Sequence, residues 1–217
     1  MNGRRSRLKQ ILLILSASLA AVSLCLAAAQ PSEEIARLAK AMGWKPGQTV
    51  ADIGAGDGVY AFAASPIVGE DGKIYATELD EKKFQAIKDE VAKRTLKNVI
   101  VLQAAEKDTN LPANCCDAIY LRRVYHHLTA PQEIDACLLR NLKSGGLLAI
   151  IDFPPRKWLT ETSPVKGVPK NRGGHGIPQK ILVDELTAAG FTLQQTFDDW
   201  PDDDYCVIFR KSPAPTN

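Results

Sequence analysis

The sequence predicts an α/β fold in which a doubly wound, mostly parallel sheet carries helices on both faces. Short apolar runs of β type alternate with helical patterns from residue 31 onward. A glycine cluster at residues 54–58 directly follows the first of these runs. The last two runs are joined by a segment too short for a crossover helix. Alternating strands and helices form parallel sheets, whereas the short final connection predicts an antiparallel pair.

The individual elements follow from the spacing of apolar residues. A helix is expected over Pro31–Met42, and a second one begins near Val59, behind the glycine cluster. Apolar residues three or four positions apart predict further helices after residue 80, after residue 130 and before Gly190. Asp80 is expected to cap the first of these three helices. The expected strands cover residues 49–53, 73–77, 98–102, 117–121, 147–153, 191–196 and 205–209.

Composition limits the classes of function. The chain has 217 residues, of which 45% are hydrophobic and 24% charged, and this suits one domain with a sizeable core. The formal net charge is +2, but the first 29 residues hold four of the 27 basic residues and none of the 25 acidic ones. The remaining chain therefore carries a slight acidic excess. We expect no nucleic-acid partner, because proteins of that class concentrate positive charge.

Residues 1–29 are expected to be a signal peptide or a membrane anchor. Four basic residues precede an apolar run, Ile11–Ala29, which three serines interrupt. Alanines at positions 27 and 29 fit a signal-peptidase site, whereas the length of the run approaches that of a bilayer span. Either interpretation places the domain, residues 30–217, beyond the membrane, so the protein is exported (periplasmic or extracellular) or anchored. If the segment is not used, the protein is cytoplasmic.

The stretch Val50–Gly58 is the feature on which the functional interpretation depends. A β-type run ends at Ile53, three glycines follow within five residues, and a helical pattern begins near Val59. Glycine lets the chain turn sharply from strand to helix and lets a ligand approach the backbone closely. Such a turn indicates a nucleotide-type site, with an ordinary tight turn as the alternative. Nicotinamide-dependent oxidoreductases space these glycines G-x-G-x-x-G, whereas the spacing here is G-x-G-x-G.

With these motifs the chain resembles the class I S-adenosylmethionine-dependent methyltransferases over about residues 37–211. Asp52–Gly58 is similar to the family's D-x-G-x-G-x-G motif, and Glu78 stands where the family has an acid at the end of strand two. Residues 111–120 and 142–147 are similar to two later family motifs. The resemblance implies a Rossmann-like, seven-stranded sheet with an antiparallel last strand. It also implies S-adenosylmethionine as the cofactor and a small-molecule methyl acceptor.

The same resemblance implies a set of cofactor contacts. The backbone of the glycine turn would meet the methionine end of the cofactor, Asp52 its amino group, and Glu78 the ribose hydroxyls. Residues after strand three would meet the adenine ring, although Gln103–Ala105 departs from the GDA pattern common in the family. The full expected set is Asp52, Gly54, Ala55, Gly56, Gly58, Glu78, Ala105, Glu106 and Arg122.

Candidate catalytic residues cluster after strands four and five. They are Tyr125, His126, His127, Asp152 and His175. Methyl transfer from a sulfonium needs mainly alignment and exclusion of water, and it needs a base only where the acceptor arrives protonated. Because adjacent side chains point in different directions, we expect the two neighbouring histidines to have different roles. A structural role for them is the alternative, and a metal site built from the three histidines is not expected.

The stretch 154–178 contains five prolines, four glycines and an excess of basic residues. Loops of this length are uncommon unless they are functional or disordered. We expect the stretch to cover the acceptor, with His175 in contact and Asp152 at one edge; a solvated linker is the alternative. Two other functions stay open at this point. One is a catalytically inactive binding protein with the same fold, and the other is an NAD(P)-dependent oxidoreductase.

Overall fold

The computed structural model describes residues 31–172 and 174–212, and the expected signal or anchor segment lies outside these ranges. Its helices are α1 (Pro31–Met42), α2 (Val59–Val68), α3 (Glu81–Lys93), α4 (Pro131–Asn141), α5 (Lys157–Thr162) and α6 (Gln179–Ala188). Its strands are β1 (Thr49–Ile53), β2 (Lys73–Glu78), β3 (Val99–Gln103), β4 (Cys116–Arg122), β5 (Leu142–Asp152), β6 (Phe191–Trp200) and β7 (Asp204–Lys211). Within the described residues, none of the helices has both the length and the apolar character that crossing a membrane requires.

The seven strands form one sheet in the order β3-β2-β1-β4-β5-β7-β6. β1 pairs in parallel with β2 and β4, β2 with β3, and β4 with β5. β7 runs antiparallel to both of its neighbours, β5 and β6. The expected Rossmann-like sheet with an antiparallel last strand is therefore confirmed. Because the strand order reverses between β1 and β4, a crevice opens at their carboxyl ends, where sheets of this kind bind ligands.

Helices cover both faces of the sheet, as the alternating patterns predict. Buried residues of α1, α2 and α3 form the core of one face, and those of α4 and α6 form the core of the other. Asp80 caps α3 as expected, since its Oδ1 accepts a hydrogen bond from the Lys83 amide at 2.9 Å. The two apolar cores hold the strand ends in place, so the loops beyond them can present side chains at defined positions.

Most strand ends agree with the sequence prediction to within a residue or two, and two regions depart further. β5 begins at Leu142 rather than at residue 147, because Leu142 already pairs with Cys116 of β4, ahead of a register shift after which Leu147 pairs with Ala118. The final hairpin is also longer than expected. A three-residue 3-10 turn, Pro201–Asp203, joins β6 to β7 in place of the expected eight-residue loop.

The segment 154–178 is folded onto the domain, which excludes the solvated linker considered above. It contains α5 and a 3-10 turn, Lys170–Arg172. Arg172 is fully buried, and its guanidinium donates to the carbonyl of Tyr125 and to the Glu185 carboxylate, each at 2.7 Å. A buried, charge-assisted contact therefore fastens the segment to the rest of the domain.

Candidate active site at the carboxyl edge of the sheet

A cavity of about 610 Å³ opens at the carboxyl edge of the sheet, where β1, β2, β3 and β4 end. Its size is in the range of small-molecule sites. The residues that line it come from the loops after these strands and from the starts of the helices that follow. Six of the nine expected cofactor residues line it, namely Gly54, Gly56, Glu78, Ala105, Glu106 and Arg122.

The glycine turn forms the backbone wall of this cavity. Gly54, Gly56 and Gly58 have left-handed φ values of +71°, +59° and +77°. A Cβ on Gly54 would lie 2.7 Å from the Val124 side chain, so β1 and the loop after β4 can approach this closely only with glycine there. A Cβ on Gly58 would lie 2.6 Å from the ring of Phe62. Gly58 precedes α2 and lies behind the wall, whereas the other two glycines form it.

Glu78 ends β2 beside the turn, and backbone amides hold its carboxylate. Oε2 accepts a hydrogen bond from Gly56 at 2.8 Å, and Oε1 accepts from Leu79 at 2.9 Å and from Asp80 at 3.0 Å. A carboxylate has about four lone-pair positions, so these three bonds leave acceptor capacity for a ligand hydroxyl. The position of Glu78 on the cavity wall therefore fits the ribose role that the resemblance implies.

Asp52 and Ala55 lie behind the cavity wall; neither is among the described residues that line it. Asp52 is 3% exposed and faces the same side of the sheet as Tyr120, its neighbour in β4. Burial raises the pKa of Asp52 to about 7, and the negative charge of Glu78 adds to the rise. The Ala55 amide donates to a carbonyl of β2 at 2.8 Å. Both residues shape the turn from behind, and a direct contact of Asp52 with the cofactor stays a prediction.

Arg122 reaches the cavity from a buried charged network that no sequence motif indicates. Its Nε lies 3.0 Å from both carboxylate oxygens of Glu34. Glu34, in the first turn of α1, is 1% exposed and also accepts from Trp200 Nε1 at 2.9 Å and from the Tyr60 hydroxyl at 2.7 Å. Since these donors satisfy the carboxylate from three sides, Glu34 holds Arg122 in one orientation.

The residues expected near the adenine ring also lie at the cavity. Ala105 and Glu106 line it beyond the end of β3. A tight turn holds them, because the Ala105 amide donates to the carbonyl of Asp108 at 2.8 Å. Glu106 accepts from the Thr129 hydroxyl at 2.9 Å, and Leu79 adds apolar surface to the same wall. Polar edges beside apolar surface are typical of small-molecule sites.

His126 and Asp152 form a buried pair next to the cavity. Nδ1 of His126 lies 2.7 Å from Oδ1 of Asp152, and the His126 amide donates to Oδ2 at 3.1 Å. Because an ionised carboxylate only accepts hydrogen bonds, Nδ1 carries a proton, and in the neutral ring Nε2 has the lone pair. His126 is 1% exposed, and within the described part of the chain Nε2 has no hydrogen-bond partner.

The other two histidines lie against His126. The ring centroids of His126 and His127 are 4.0 Å apart, and His175 lies 5.2 Å from the first and 5.6 Å from the second. His127 lines the cavity, whereas no described residue of 154–178 does so. Partial burial and the two neighbouring imidazoles lower the pKa of His127 to about 4, so this ring is uncharged at neutral pH and is a weak base.

Tyr125 points away from the cavity, so its position gives no support to the expected catalytic role. Its hydroxyl lies 3.0 Å from carboxylate oxygens of both Asp135 and Glu185, and its ring packs against the Arg172 guanidinium. Burial raises the pKa of the hydroxyl. Tyr125 therefore connects the loop after β4 to α4, α6 and the segment 154–178, and its role is structural.

Several residues that line the cavity are not among those predicted from the sequence. Leu79 and Val124 come shortly after strands, so the general position of ligand sites in such sheets could have identified them. Lys83 and Arg123 also line the cavity, but no local pattern marks them. Arg123 has a left-handed φ of +54°, and its side chain pairs with Asp204 of β7 at 2.7 Å. That contact joins residues distant in sequence and is visible only in the fold.

Comparison with known protein sequences supports the fold-based interpretation. The methyltransferase domain family matches residues 51–150. The ubiquinone/menaquinone biosynthesis C-methyltransferase UbiE of Vibrio cholerae is 28% identical over 112 residues, which cover 51% of this chain and 43% of that protein. The UbiE protein of Shewanella piezotolerans is 29% identical over 116 residues, 53% of this chain and 46% of its own length. The chain thus spans less than half the length of these curated relatives.

Solved structures agree with this match. An S-adenosylmethionine-dependent methyltransferase from Aquifex aeolicus is 29% identical, with a TM-score of 0.68 over 82% of this chain and 89% of that one. The [4+2]-cyclase SpnF shares the fold alone, at 16% identity and a TM-score of 0.67 over 85% of this chain and 82% of its own. Residues 51–150 therefore match a methyltransferase domain family, and the chain is similar in fold to an S-adenosylmethionine-dependent methyltransferase.

Proposed function

We propose that this protein transfers a methyl group from S-adenosylmethionine to a small-molecule acceptor. The observation that carries the proposal is the position of Glu78 and the backbone of Gly54 and Gly56 on one wall of a cavity of ligand size. The chain covers only part of the length of its curated relatives, so their activity does not transfer to it directly. The reaction and the acceptor class are therefore inferred from this cavity.

The cavity residues divide between the parts of the cofactor. Glu78 would accept a hydrogen bond from the ribose, the backbone of Gly54 and Gly56 would meet the methionine portion, and Ala105 and Glu106 would border the adenine. When bound, S-adenosylmethionine would supply a methyl carbon on a positively charged sulfur, and this sulfur would keep the electrons of the carbon–sulfur bond when the acceptor takes the methyl group. The protein's part is to align the acceptor and to exclude water.

The acceptor is expected on the side of the cavity where the loop after β4 meets the histidines. Three basic and three acidic residues line this cavity and favour an acceptor with a polar group, namely Lys83, Arg122, Arg123, Glu78, Glu106 and Asp108. His127 is poorly suited to take a proton from the acceptor at neutral pH, because its pKa is about 4. We therefore propose that His127 is not the base for this reaction.

Calorimetry with the full-length protein tests the cofactor. We expect S-adenosylmethionine and S-adenosylhomocysteine to bind with micromolar Kd and NADH not to bind. Glu78→Ala should raise the Kd for S-adenosylmethionine and for S-adenosylhomocysteine by at least about tenfold, because it removes a charged hydrogen-bond acceptor. Glu70→Ala, an exposed acid at the opposite edge of the sheet, is the control and should change neither. Binding of NADH alone would favour an oxidoreductase, and no binding in folded protein would favour a binding protein without this chemistry.

Release of S-adenosylhomocysteine tests the acceptor class. A catechol, a thiol, an amine and a quinol are suitable acceptors; the quinol is included because the curated relatives are named for quinone biosynthesis. Duplex DNA and RNA are the comparison, because we propose no nucleic-acid acceptor. Turnover with a small molecule alone supports the proposal, and turnover with nucleic acid alone overturns it.

We also propose that residues 1–29 export the domain or anchor it in a membrane. The support is the sequence pattern of a basic start followed by an apolar run that ends in alanines. Cell fractionation and the intact mass of the expressed protein test this. If the domain is exported, the chain found beyond the membrane should lack residues 1–29. If it is anchored, the chain should keep these residues and be found in the membrane fraction. A full-length chain in the cytoplasm would contradict both.

A further inference from the structure

We infer that His126, His127 and His175 bind a divalent transition metal ion, zinc in the first place, at the edge of the cavity. One ring nitrogen from each lies within 4.8 Å of the other two. The chain has three histidines in all, and the fold brings them together from the loop after β4 and from the end of the segment 154–178. This convergence is the observation on which the inference departs from the expectation that the three histidines build no metal site.

The surroundings of His126 are those of a metal ligand. Asp152 accepts its Nδ1 proton at 2.7 Å and is itself fully buried, accepting also from the amide of Phe153 at 2.9 Å. A carboxylate in this position orients the ring and raises the basicity of the free nitrogen toward a metal. Nε2 lies buried with no partner among the described residues, and a cation would satisfy it.

His175 also has one ring nitrogen held by a hydrogen-bond acceptor. Its Nδ1 lies 2.7 Å from the carbonyl oxygen of Ser163. Since a carbonyl only accepts, the proton is on Nδ1 and the lone pair of the neutral ring is on Nε2. The His175 amide also donates to the Thr160 hydroxyl at 3.1 Å, which holds this part of the backbone. Two of the three rings therefore have one nitrogen fixed by an acceptor and the other available.

Closing the site requires only small movements of side chains. Tetrahedral bonds of about 2.0–2.1 Å would place the ligand nitrogens about 3.4 Å apart, closer than the present limit of 4.8 Å. His127 is exposed and His175 half-buried, so rotations of these two rings can bring the nitrogens together while Asp152 holds His126. Imidazole nitrogens suit zinc and other transition metals, and do not suit magnesium or calcium.

Three protein ligands leave the fourth position of zinc open, as in catalytic sites. Because His127 also lines the cavity, the open position adjoins the acceptor region; this consequence rests on the proposed function. An acceptor hydroxyl or thiol bound there would lose its proton to bulk water more readily and keep the lone pair that takes the methyl group.

Metal content of the full-length protein tests the site directly. After incubation with zinc chloride and dialysis, elemental analysis should find about one zinc per chain, as three histidine ligands predict. Cobalt(II) should compete with zinc and give the visible absorption of a tetrahedral nitrogen site. Neither measurement depends on methyl transfer.

His127→Ala is the main variant, because its exposed position should leave the fold intact. We expect its zinc affinity to fall at least tenfold and its cobalt absorption to disappear. Asp152→Asn should lower zinc affinity by about 10–100-fold through lost orientation of His126. Cys115→Ser is the matched control, because Cys115 and Cys116, with sulfur atoms 3.1 Å apart, are another pair that could hold zinc.

Unchanged zinc binding in His127→Ala, or loss of zinc in Cys115→Ser, would overturn the inference. Titration of S-adenosylmethionine with and without EDTA separates it from the proposed function. We expect EDTA to leave this binding unchanged, because Glu78 and the glycine turn are not part of the histidine cluster. Zinc binding in protein that binds no S-adenosylmethionine would leave the metal site standing and overturn the proposed methyl transfer.

Discussion

Glu78 Oε2 accepts a hydrogen bond from the Gly56 amide at 2.8 Å, so the end of β2 fixes the turn that follows β1. Two of the expected cofactor contacts therefore hold each other in place. A site that is ordered before the ligand arrives loses less conformational freedom on binding. The same contact makes the carboxylate of Glu78 important for the stability of the turn as well as for the ligand.

Glu78→Gln should therefore destabilise the ligand-free protein. The side chain of Gln has one acceptor oxygen and one donor nitrogen in place of the two acceptor oxygens of Glu78. Its nitrogen would therefore face a backbone amide donor, either that of Gly56 or those of Leu79 and Asp80. A loss of about 1–3 kcal/mol is expected for such unsatisfied buried groups. Urea unfolding measures it, and Glu70→Gln at an exposed site is the control. Equal stability of the two variants would show that the backbone bonds to Glu78 contribute little.

Gly54→Ala should cost more stability than Gly43→Ala. Both positions have left-handed φ values, +71° and +64°, which cost a non-glycine residue about 1–2 kcal/mol. A Cβ on Gly43 meets open space, whereas one on Gly54 would lie 2.7 Å from Val124. Thermal unfolding of the two variants compares them. If the two losses are the same, Val124 moves aside freely and the close approach has no energetic consequence.

Arg172→Met should strongly destabilise the domain. The guanidinium is fully buried, and its removal leaves the Glu185 carboxylate and the Tyr125 carbonyl without their donor. Removing one partner of a buried pair costs about 3–5 kcal/mol. Lys170→Met, two residues away and exposed, is the control and should change the urea midpoint little. Similar midpoints for both variants would mean that the segment 154–178 is held by other contacts.

Asp52→Asn should stabilise the protein at high pH but not at low pH. Burial raises the pKa of Asp52 to about 7, so the folded protein binds a proton there that the unfolded chain has already released. The free energy of unfolding of the wild type therefore falls, relative to that of the variant, as pH rises from about 4 to 7. Above pH 7 this difference in free energy of unfolding reaches about 4 kcal/mol at most. Urea unfolding at pH 4 and pH 8 measures it; a gap that is the same at both would contradict the raised pKa. Asp71→Asn, at an exposed site, is the control.

Much of the fold could be predicted because its information is local. The spacing of apolar residues and the length of each apolar run distinguish α1 from β1 without reference to the rest of the chain. The bounds of both elements, Pro31–Met42 and Thr49–Ile53, agree with the prediction. The start of β5 could not be predicted in this way. Leu142 is in a strand because Cys116 of β4 pairs with it, and a run of residues does not reveal its partner.

Some residues of the candidate site are likewise predictable from a local motif, and others are not. The glycine turn and Glu78 are marked by a short motif, since sharp turns and close backbone approach require particular residues at particular spacings. Glu34 carries no such mark, although its carboxylate lies 3.0 Å from Arg122, 88 residues later in the chain. Tyr125 is the opposite case, because its neighbours in sequence are at the cavity edge while its own ring turns to α4 and α6.

The sequence by itself determined the α/β class, the reversed last strand and the turn that builds the cofactor wall, because each depends on residues within about one element of each other. Only the tertiary structure decided which polar side chains meet. His126 and His175 are far apart in the chain, and their rings lie 5.2 Å apart because β4, β5 and the segment 154–178 end at the same edge of the sheet. Side-chain chemistry across elements depends on packing directions, which a linear pattern does not contain.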